Sequence, residues 1–146
     1  MQAQTSVDEA AAIKQAKMKP TINGSTYVKP QHLEWQKTQF DKVWLKILYE
    51  NKEKGESTVL LKLEPGAHLP FHKHPELEQA WVLEGSMYDH DGTCSAGEYV
   101  WRQPGSLHEN HSDTGAVVLA IYRKQNIFVN KMTGYATQSV PNEPSR

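Results

Sequence analysis

The sequence has a single cysteine, Cys94, in 146 residues, and this scarcity excludes an intrachain disulfide framework. It also lacks any apolar run of transmembrane length, and residues 1–18 lack the apolar core of a signal peptide. No run of lysine and arginine suggests a nucleic-acid footprint, and the formal net charge is only −1. We therefore expect a soluble cytoplasmic protein in a reducing compartment that binds neither nucleic acid nor a membrane.

The length fits one domain with a core of its own, flanked by two polar segments. Apolar residues make up 38% of the chain, slightly below a typical globular domain, which predicts some loop or tail. Residues 1–25 are polar and alanine-rich, and they predict an arm or a short helix capped by Ser6 or Asp8. Residues 26–130 predict a β-barrel, and residues 131–146 a polar C-terminal tail.

Short β-patterned segments alternate with turn signals at intervals of roughly 8–12 residues, which predicts an all-β sandwich or barrel. Glu84–Gly85 is expected to end one strand, and Asp91–Gly92 is a favoured hairpin turn. Residues 43–49 and 58–63 are expected to form a hairpin. The predicted strands span residues 27–28, 33–35, 43–49, 58–63, 79–83, 86–90, 98–102, 116–123 and 127–129.

Residues 66–85, GAHLPFHKHPELEQAWVLEG, concentrate side chains of the metal-ligand type. In an extended strand, His72 and His74 project from the same face, about 6.5 Å apart along the backbone, and can bind one ion together. Glu78 has the same parity in the sequence. Glu76 fits this parity as well, so the parity alone leaves two candidates for a carboxylate ligand.

A second segment, residues 97–111 (GEYVWRQPGSLHENH), adds His108 to this set. The histidine follows a Pro-Gly turn that can bring it back over the first three side chains. Three imidazoles and one carboxylate suit a divalent transition metal such as iron, manganese, zinc, nickel or copper. The two segments together predict one metal site inside the barrel.

Aromatic and basic side chains suggest a substrate pocket over the metal. Trp44, Phe71 and Tyr99 are candidates to line it, with ordinary core packing as the alternative for each. Arg102 is a candidate to hold an anionic substrate, with surface ion pairing as the alternative. No further catalytic residue can be identified. Other candidates of the same types are Trp81, Trp101 and Arg123.

The remaining histidines and the cysteine are expected to lie outside the metal set. We expect His68 to face solvent or the pocket mouth, and His90 to be exposed in a turn. His111 is expected on an outer loop, with a hydrogen bond to a ligand as the alternative. Cys94 is expected to be an unreactive small side chain.

The spacing of the first segment reproduces a known family motif. Gly66, His72, His74, Glu78 and Gly85 match the first cupin motif, G-x5-HxH-x3-E-x6-G, at every defined position. This spacing selects Glu78 over Glu76 as the carboxylate ligand. The chain therefore resembles the cupins.

The second segment resembles the second cupin motif, G-x5-PxG-x2-H-x3-N, with two departures. Gly97, Gly105 and His108 match it, whereas Gln103 replaces the proline and Ser112 replaces the asparagine. A proline next to Gln103 is expected to keep the turn. Neither departure affects the metal ligand.

Over residues 40–128 the chain is most similar to the ChrR-like cupins. This group includes the metal-binding domain of zinc anti-sigma factors and stand-alone proteins of the acetylacetone-cleaving dioxygenase type. The resemblance implies a single-domain jelly-roll barrel with an N-terminal extension, commonly dimeric, that binds one metal ion. Dioxygenase-branch members with three histidine ligands lack the glutamate present here. The implied ligands are His72, His74, Glu78 and His108.

The resemblance favours a non-haem Fe(II)-dependent dioxygenase acting on a small oxygenated organic substrate, such as a diketone or hydroxy-ketone. Fe(II) is the favoured ion, with zinc, manganese and nickel as alternatives, and a homodimer is the expected assembly. One alternative function is a non-oxidative isomerase or lyase that uses the same ion as a Lewis acid. The other is a zinc-stabilised sensory cupin that binds a ligand without catalysis.

Overall fold

The computed structural model describes residues 24–137 and is almost entirely β-strand. The chain forms two compact units, Met1–Glu34 and Trp35–Arg146. In the described part of the first unit, Pro30–His32 forms a short 3-10 helix. Within residues 24–137, no helix is long and apolar enough to cross a membrane.

The second unit contains ten strands within the described range, and every pair is antiparallel. They are β1 (Gln36–Lys37), β2 (Val43–Asn51), β3 (Glu56–Leu63), β4 (Ala67–Lys73), β5 (Glu78–Tyr88), β6 (Thr93–Ser95), β7 (Tyr99–Arg102), β8 (Leu107–Ser112), β9 (Ala116–Tyr122) and β10 (Ile127–Phe128). The strand order is β1-β2-β3-β9-β5-β8-β4-β10, with β6 and β7 also paired to β5. The sheet curls into a half-barrel, which confirms the predicted all-β jelly-roll class.

Strand β5 runs through the position where the sequence predicts a break, so the break at Glu84–Gly85 is wrong. A register shift between Val82 and Glu84 lets the strand continue with β9 as its partner. Gly85 adopts a φ of 68°, and a Cβ atom there would lie 1.9 Å from the carbonyl oxygen of Gly115. The glycine therefore permits a close approach of two backbone segments instead of a turn.

The remaining predictions of secondary structure have different outcomes. The hairpin of β2 and β3 is confirmed. The strands predicted at residues 27–28 and 33–35 are wrong: these residues are irregular and flank Pro30–His32, where proline opens a 3-10 turn. The predicted arm at residues 1–25 lies almost wholly outside the described residues. The tail at residues 131–146 is described only to residue 137, so both assignments stay predictions.

The inward faces of the strands form the core, because alternate residues of each strand point into the half-barrel. Strand β4 buries Ala67, Leu69 and His72, whereas β8 buries alternate residues starting from His108. Alternation therefore directs His108 inward, whereas a register shift between Leu69 and His72 turns His72 to the same inward face as Leu69. The main core cluster comprises Val43, Leu45, Leu61, Leu63, Ala67, Leu69, Ala80, Val82, Met87, Cys94, Ala116 and Val118.

Candidate metal centre

Four side chains of the predicted ligand set meet inside the half-barrel: His72, His74, Glu78 and His108. All four are buried, and one donor atom from each lies within 4.8 Å of the others. The ring centroids of the three histidines are 4.6–4.9 Å apart and form a nearly equilateral triangle. Because a Zn–N bond is about 2.1 Å long, two donor atoms on one zinc ion lie at most about 4.2 Å apart. The cluster is therefore close to the size of a coordination shell.

Three neighbouring backbone segments position these side chains. His72 on β4 and His108 on β8 are direct cross-strand partners, so both imidazoles point inward from adjacent strands. His74 follows the end of β4, and its N–H donates to the carbonyl of Ser106 at the start of the β8 segment. Glu78 opens β5, while Glu76 is exposed and lies outside the cluster.

Each imidazole uses its Nδ1 atom to bind an oxygen acceptor of the protein. The Nδ1 atom of His72 donates to the carbonyl oxygen of Pro70 at 2.6 Å. His74 Nδ1 lies 2.9 Å from Asn126 Oδ1, and His108 Nδ1 lies 2.7 Å from Asp89 Oδ2. A neutral imidazole that donates from Nδ1 keeps its lone pair on Nε2, which is the state a metal ligand requires.

The electrostatics of the cluster favour the same state. Burial, together with the neighbouring His108, lowers the pKa of His72 to about 3. Burial and the Arg102 guanidinium lower the pKa of His108 to about 4. Burial acts to raise the pKa of Glu78, but His74 and Arg102 outweigh it and lower that pKa to about 2. At neutral pH, His72 and His108 are therefore neutral and the Glu78 carboxylate is ionised.

Arg102 bridges the ligand carboxylate and the carboxylate that orients His108. Its Nη1 atom donates to Glu78 Oε1 at 3.1 Å, and its Nη2 atom donates to Asp89 Oδ2 at 3.2 Å. Burial acts to raise the pKa of Asp89, but the bond from His108, the backbone N–H of Asp91 and Arg102 lower it to about 2. One guanidinium thus holds two ionised carboxylates in place.

Two donor atoms in the cluster have no hydrogen-bond partner among residues 24–137: His74 Nε2 and Glu78 Oε2. The Oε2 atom lies 2.6 Å from His74 Nδ1, but this ion-pair contact lacks hydrogen-bond geometry. Leaving such buried polar atoms unsatisfied costs roughly 1–3 kcal/mol each. A bound cation would satisfy both atoms, and three imidazoles with one carboxylate match the preference of a divalent transition metal. The residues present therefore fit the expected ion.

Aromatic side chains close the cluster on one side, and a cleft opens beside it on another. The buried ring of Phe128 lies 5.1 Å from the His72 ring, and buried Tyr122 is the cross-strand partner of Glu78. A cavity of about 250 Å³ is lined in part by His108 and Arg102. It shares Arg102 and other residues with a neighbouring cavity of about 660 Å³. The smaller cavity therefore lies directly beside one ligand of the centre, His108.

The structure separates the four candidate pocket residues. Arg102 lies at the centre, and Tyr99 lines the larger cavity with its hydroxyl donating to Gln79. Trp44 lies on the face of β2 opposite the core residues, and Lys62 Nζ sits 5.6 Å from its ring. Phe71 packs under Lys131, with the ammonium nitrogen 5.7 Å from its ring centroid. Arg102 thus lines the cavity beside His108, Tyr99 lines only the larger cavity, and neither Trp44 nor Phe71 lines either one.

Three residues at the centre are missing from the sequence prediction: Asp89, Asn126 and Phe128. Asp89 precedes the Asp91–Gly92 turn, where an acidic side chain is common for reasons unrelated to metal binding. Asn126 reaches His74 across 52 positions of the sequence, and no local pattern marks such a contact. A buried asparagine or aspartate facing a ligand histidine can be recognised only once the strand register is known.

Solved structures share this fold at low sequence identity. A candidate acetylacetone dioxygenase from Methylibium petroleiphilum is 17% identical with a TM-score of 0.73, covering 80% of this chain and 88% of its own. The acetylacetone dioxygenase from Acinetobacter johnsonii is 17% identical with a TM-score of 0.69, covering 84% and 88%. A chain in the complex of Rhodobacter sphaeroides SigE with the anti-sigma ChrR is 18% identical with a TM-score of 0.57, covering 84% and 70%. These similarities establish the fold alone.

Sequence comparison identifies the family. No curated protein sequence matches this chain significantly. Residues 23–126 match the profile of the ChrR Cupin-like domain, and this range includes all four side chains of the buried cluster. The resemblance based on the two histidine-containing segments is thereby confirmed. The chain belongs to the ChrR Cupin-like domain family.

Proposed function

We propose that the chain is a metal-dependent enzyme, a non-haem Fe(II) dioxygenase that acts on a small oxygenated organic molecule such as a diketone or hydroxy-ketone. The observation that carries this proposal is the buried cluster of His72, His74, Glu78 and His108 beside a solvent-accessible cleft. A purely structural metal site is normally closed, whereas a catalytic site keeps access for a substrate.

The chain contributes a rigid donor set with a defined charge. The imidazoles are neutral when they bind a metal, and Glu78 carries one negative charge. A divalent ion held by these four ligands retains a net charge of about +1, which attracts an anionic substrate such as an enolate. His72, His74, Glu78 and His108 would hold an Fe(II) ion, which would supply Lewis-acid and one-electron chemistry there.

The residues that line the smaller cavity are the ones that a substrate would contact. Arg102 and His108 line the smaller cavity, so a molecule bound there would lie beside the metal ligands. Arg102 is engaged with Glu78 and Asp89, so its main role is to hold these carboxylates, and its charge also favours an approaching anion. In a dioxygenase reaction both atoms of O₂ enter the product, and the substrate supplies the electrons.

Oxygen uptake tests the proposal directly. Protein loaded with Fe(II), with its iron content verified, is expected to consume O₂ with at least one member of a panel of diketones, hydroxyacetophenones and flavonols. His108→Gln is expected to abolish this uptake, while His90→Gln, a change in an exposed turn histidine, preserves it. An iron-loaded protein that consumes no oxygen across the panel would refute the oxygenase assignment.

Two other functions are supported by particular observations. The carboxylate ligand Glu78 suits an isomerase or lyase that uses the ion as a Lewis acid, and turnover with zinc in the absence of O₂ would favour it. The similarity to a chain of the SigE–ChrR complex suits a zinc-stabilised sensory module. Ligand-dependent binding to a regulatory protein without turnover would favour that role.

We infer that the chain forms a homodimer. The support is a group of exposed apolar side chains on the outer faces of β5, β7 and β9: Trp81, Leu83, Tyr99, Trp101 and Ile121. Contiguous exposed apolar side chains commonly mark protein interfaces.

Light scattering is expected to give the mass of two chains. Trp81→Glu is expected to give one chain, and the matched change Tyr49→Glu on β2 to keep two; a monomeric wild type would contradict the inference.

A further inference from the structure

A second cluster of metal-binding side chains lies on the outer face of the half-barrel. The outward positions of β4 and β8 include His68, Glu109 and His111. A register shift between Leu69 and His72 puts His68 and His72 on opposite faces although they are four residues apart. His68 and His111 are direct cross-strand partners, just as His72 and His108 are on the inner face. The two histidine pairs thus use the same two strands and opposite faces of the sheet.

The donor atoms of this outer cluster already converge. His68 Nε2 lies 3.0 Å from Glu109 Oε2, and His111 Nε2 lies 4.0 Å from the same oxygen. One donor from each residue lies within 4.8 Å of the others, the same limit that holds for the interior cluster. An ion between these atoms would replace contacts that exist and would require no rearrangement of the backbone.

Ring stacking fixes the orientation of the outer histidines. The rings of His68 and His111 are stacked, with centroids 4.4 Å apart and planes 11° apart. Tyr88 of β5 stacks on His111 at 5.2 Å, and its hydroxyl donates to Asp113 Oδ1. Three rings on three adjacent strands therefore restrict the imidazole of His111, which reduces the entropy that metal binding must offset.

Lys131 competes for the outer carboxylate. Its ammonium group contacts Glu109 Oε1, while the other carboxylate oxygen faces the two histidines. A cation would share Glu109 with Lys131, and the ammonium charge would repel it.

We propose that His68, Glu109 and His111 form a second, solvent-accessible site for a borderline divalent cation of the zinc, nickel or copper class. Two imidazoles and one carboxylate favour these ions over magnesium or calcium, and the exposed position leaves further coordination sites to water. The site is weaker than the interior cluster, because it has one ligand fewer and a competing lysine.

Equilibrium dialysis of the full chain against Zn²⁺, after chelator treatment, tests the site. Wild-type protein is expected to bind one more zinc ion per chain than His68→Gln at micromolar free zinc. Loss of His68 is expected to weaken zinc affinity at this site at least about ten-fold. Even the loss of a residue that only hydrogen-bonds to a metal ligand lowers metal affinity by that much. His90→Gln serves as the matched control, since His90 also sits beside a carboxylate, Asp91, but forms no three-residue metal-binding group among residues 24–137.

A second variant acts in the opposite direction. Lys131→Met is expected to tighten the outer site about five-fold, because it frees Glu109 and removes a nearby positive charge. Equal zinc stoichiometry and affinity in wild type and His68→Gln would overturn the proposal, as would an unchanged affinity in Lys131→Met. The difference in zinc binding between wild type and His68→Gln does not depend on the interior centre, because both proteins retain it. If the interior centre bound no zinc, wild type would bind one ion and His68→Gln would bind none.

Discussion

Strands β4 and β8 carry two cross-strand histidine pairs, His72 with His108 on the inner face and His68 with His111 on the outer face, and a register shift between Leu69 and His72 separates them. The interior His108 side chain is 5% exposed, whereas those of His68 and His111 are 45% and 33% exposed. Each interior histidine has its Nδ1 atom bound to an oxygen acceptor supplied by the protein. The outer histidines instead share one carboxylate with a lysine.

This difference shows what turns a histidine pair into a permanent ligand set. Burial keeps His72 and His108 neutral, and fixed acceptors bind the Nδ1 atom of all three interior histidines, which leaves Nε2 for a metal. The outer pair has the same strand geometry without this support, so it binds a cation only in competition with Lys131 and solvent. Residue type and register bring the donors together, and the surrounding hydrogen bonds determine how tightly they hold an ion.

Removal of the metal is expected to have the largest effect. A ligand present at about 1,000 times its Kd stabilises the folded state by about 4 kcal/mol. Calorimetry should therefore show a large fall in Tm when one equivalent of metal is removed by a chelator. His68→Gln should show the same fall, because the first equivalent occupies the interior cluster. A Tm that does not respond to the chelator would contradict an interior site.

Substitution of an interior ligand should have the next largest effect. His72→Gln is expected to weaken binding of the first metal equivalent by more than about 100-fold. Loss of a residue that only hydrogen-bonds to a metal ligand costs up to about 100-fold, and loss of the ligand itself should cost more. His68→Gln, four residues away on the outer face of the same strand, is expected to leave it unchanged. Competition with a chromophoric chelator measures both. Equal affinities in the two variants would break the distinction between the two faces.

Loss of the carboxylate that orients His108 should have an intermediate effect. Asp89→Asn removes the charge that binds His108 Nδ1 and Arg102, so first-site affinity is expected to fall roughly 30-fold. Asp113→Asn is the matched control, because Asp113 binds Tyr88 on the outer face. The same chelator competition applies, and a similar loss in both variants would argue against a specific role for Asp89.

The smallest of these effects is expected for the neutral acceptor of His74. Asn126→Ala removes the Oδ1 atom that binds His74 Nδ1, and about a ten-fold loss of first-site affinity is expected. Asn51→Ala changes a turn asparagine that accepts the N–H of Lys54, and it should leave the affinity unchanged. Retention of wild-type affinity by Asn126→Ala would show that burial alone orients His74.

Local sequence patterns predict the parts of the site that depend on local geometry. The spacing of His72, His74 and Glu78 places all three on one side of the chain, and a family motif adds His108. The partners of these residues depend on strand register across long separations. Asn126 and Asp89 therefore have no recognisable local signal, and neither does the stacking of His68 on His111.

The same distinction explains the outcome for the fold. Strands β2, β3 and β9 are predicted because each is a β-branched and apolar segment between turn signals. The break predicted at Glu84–Gly85 is wrong because the glycine serves a close contact with Gly115, 30 residues later in the sequence. A turn signal and a close-packing signal use the same residue type, and only the tertiary structure distinguishes them.

X-ray absorption of the chain loaded with one equivalent of zinc can identify which cluster binds the first ion. The interior cluster predicts three imidazole nitrogens and one carboxylate oxygen around each ion, at about 2.0–2.2 Å. The outer cluster would supply only two imidazoles. A first zinc ion with only two imidazole ligands would contradict the interior metal centre. So would a first ion whose ligands are the same in wild type and His72→Gln.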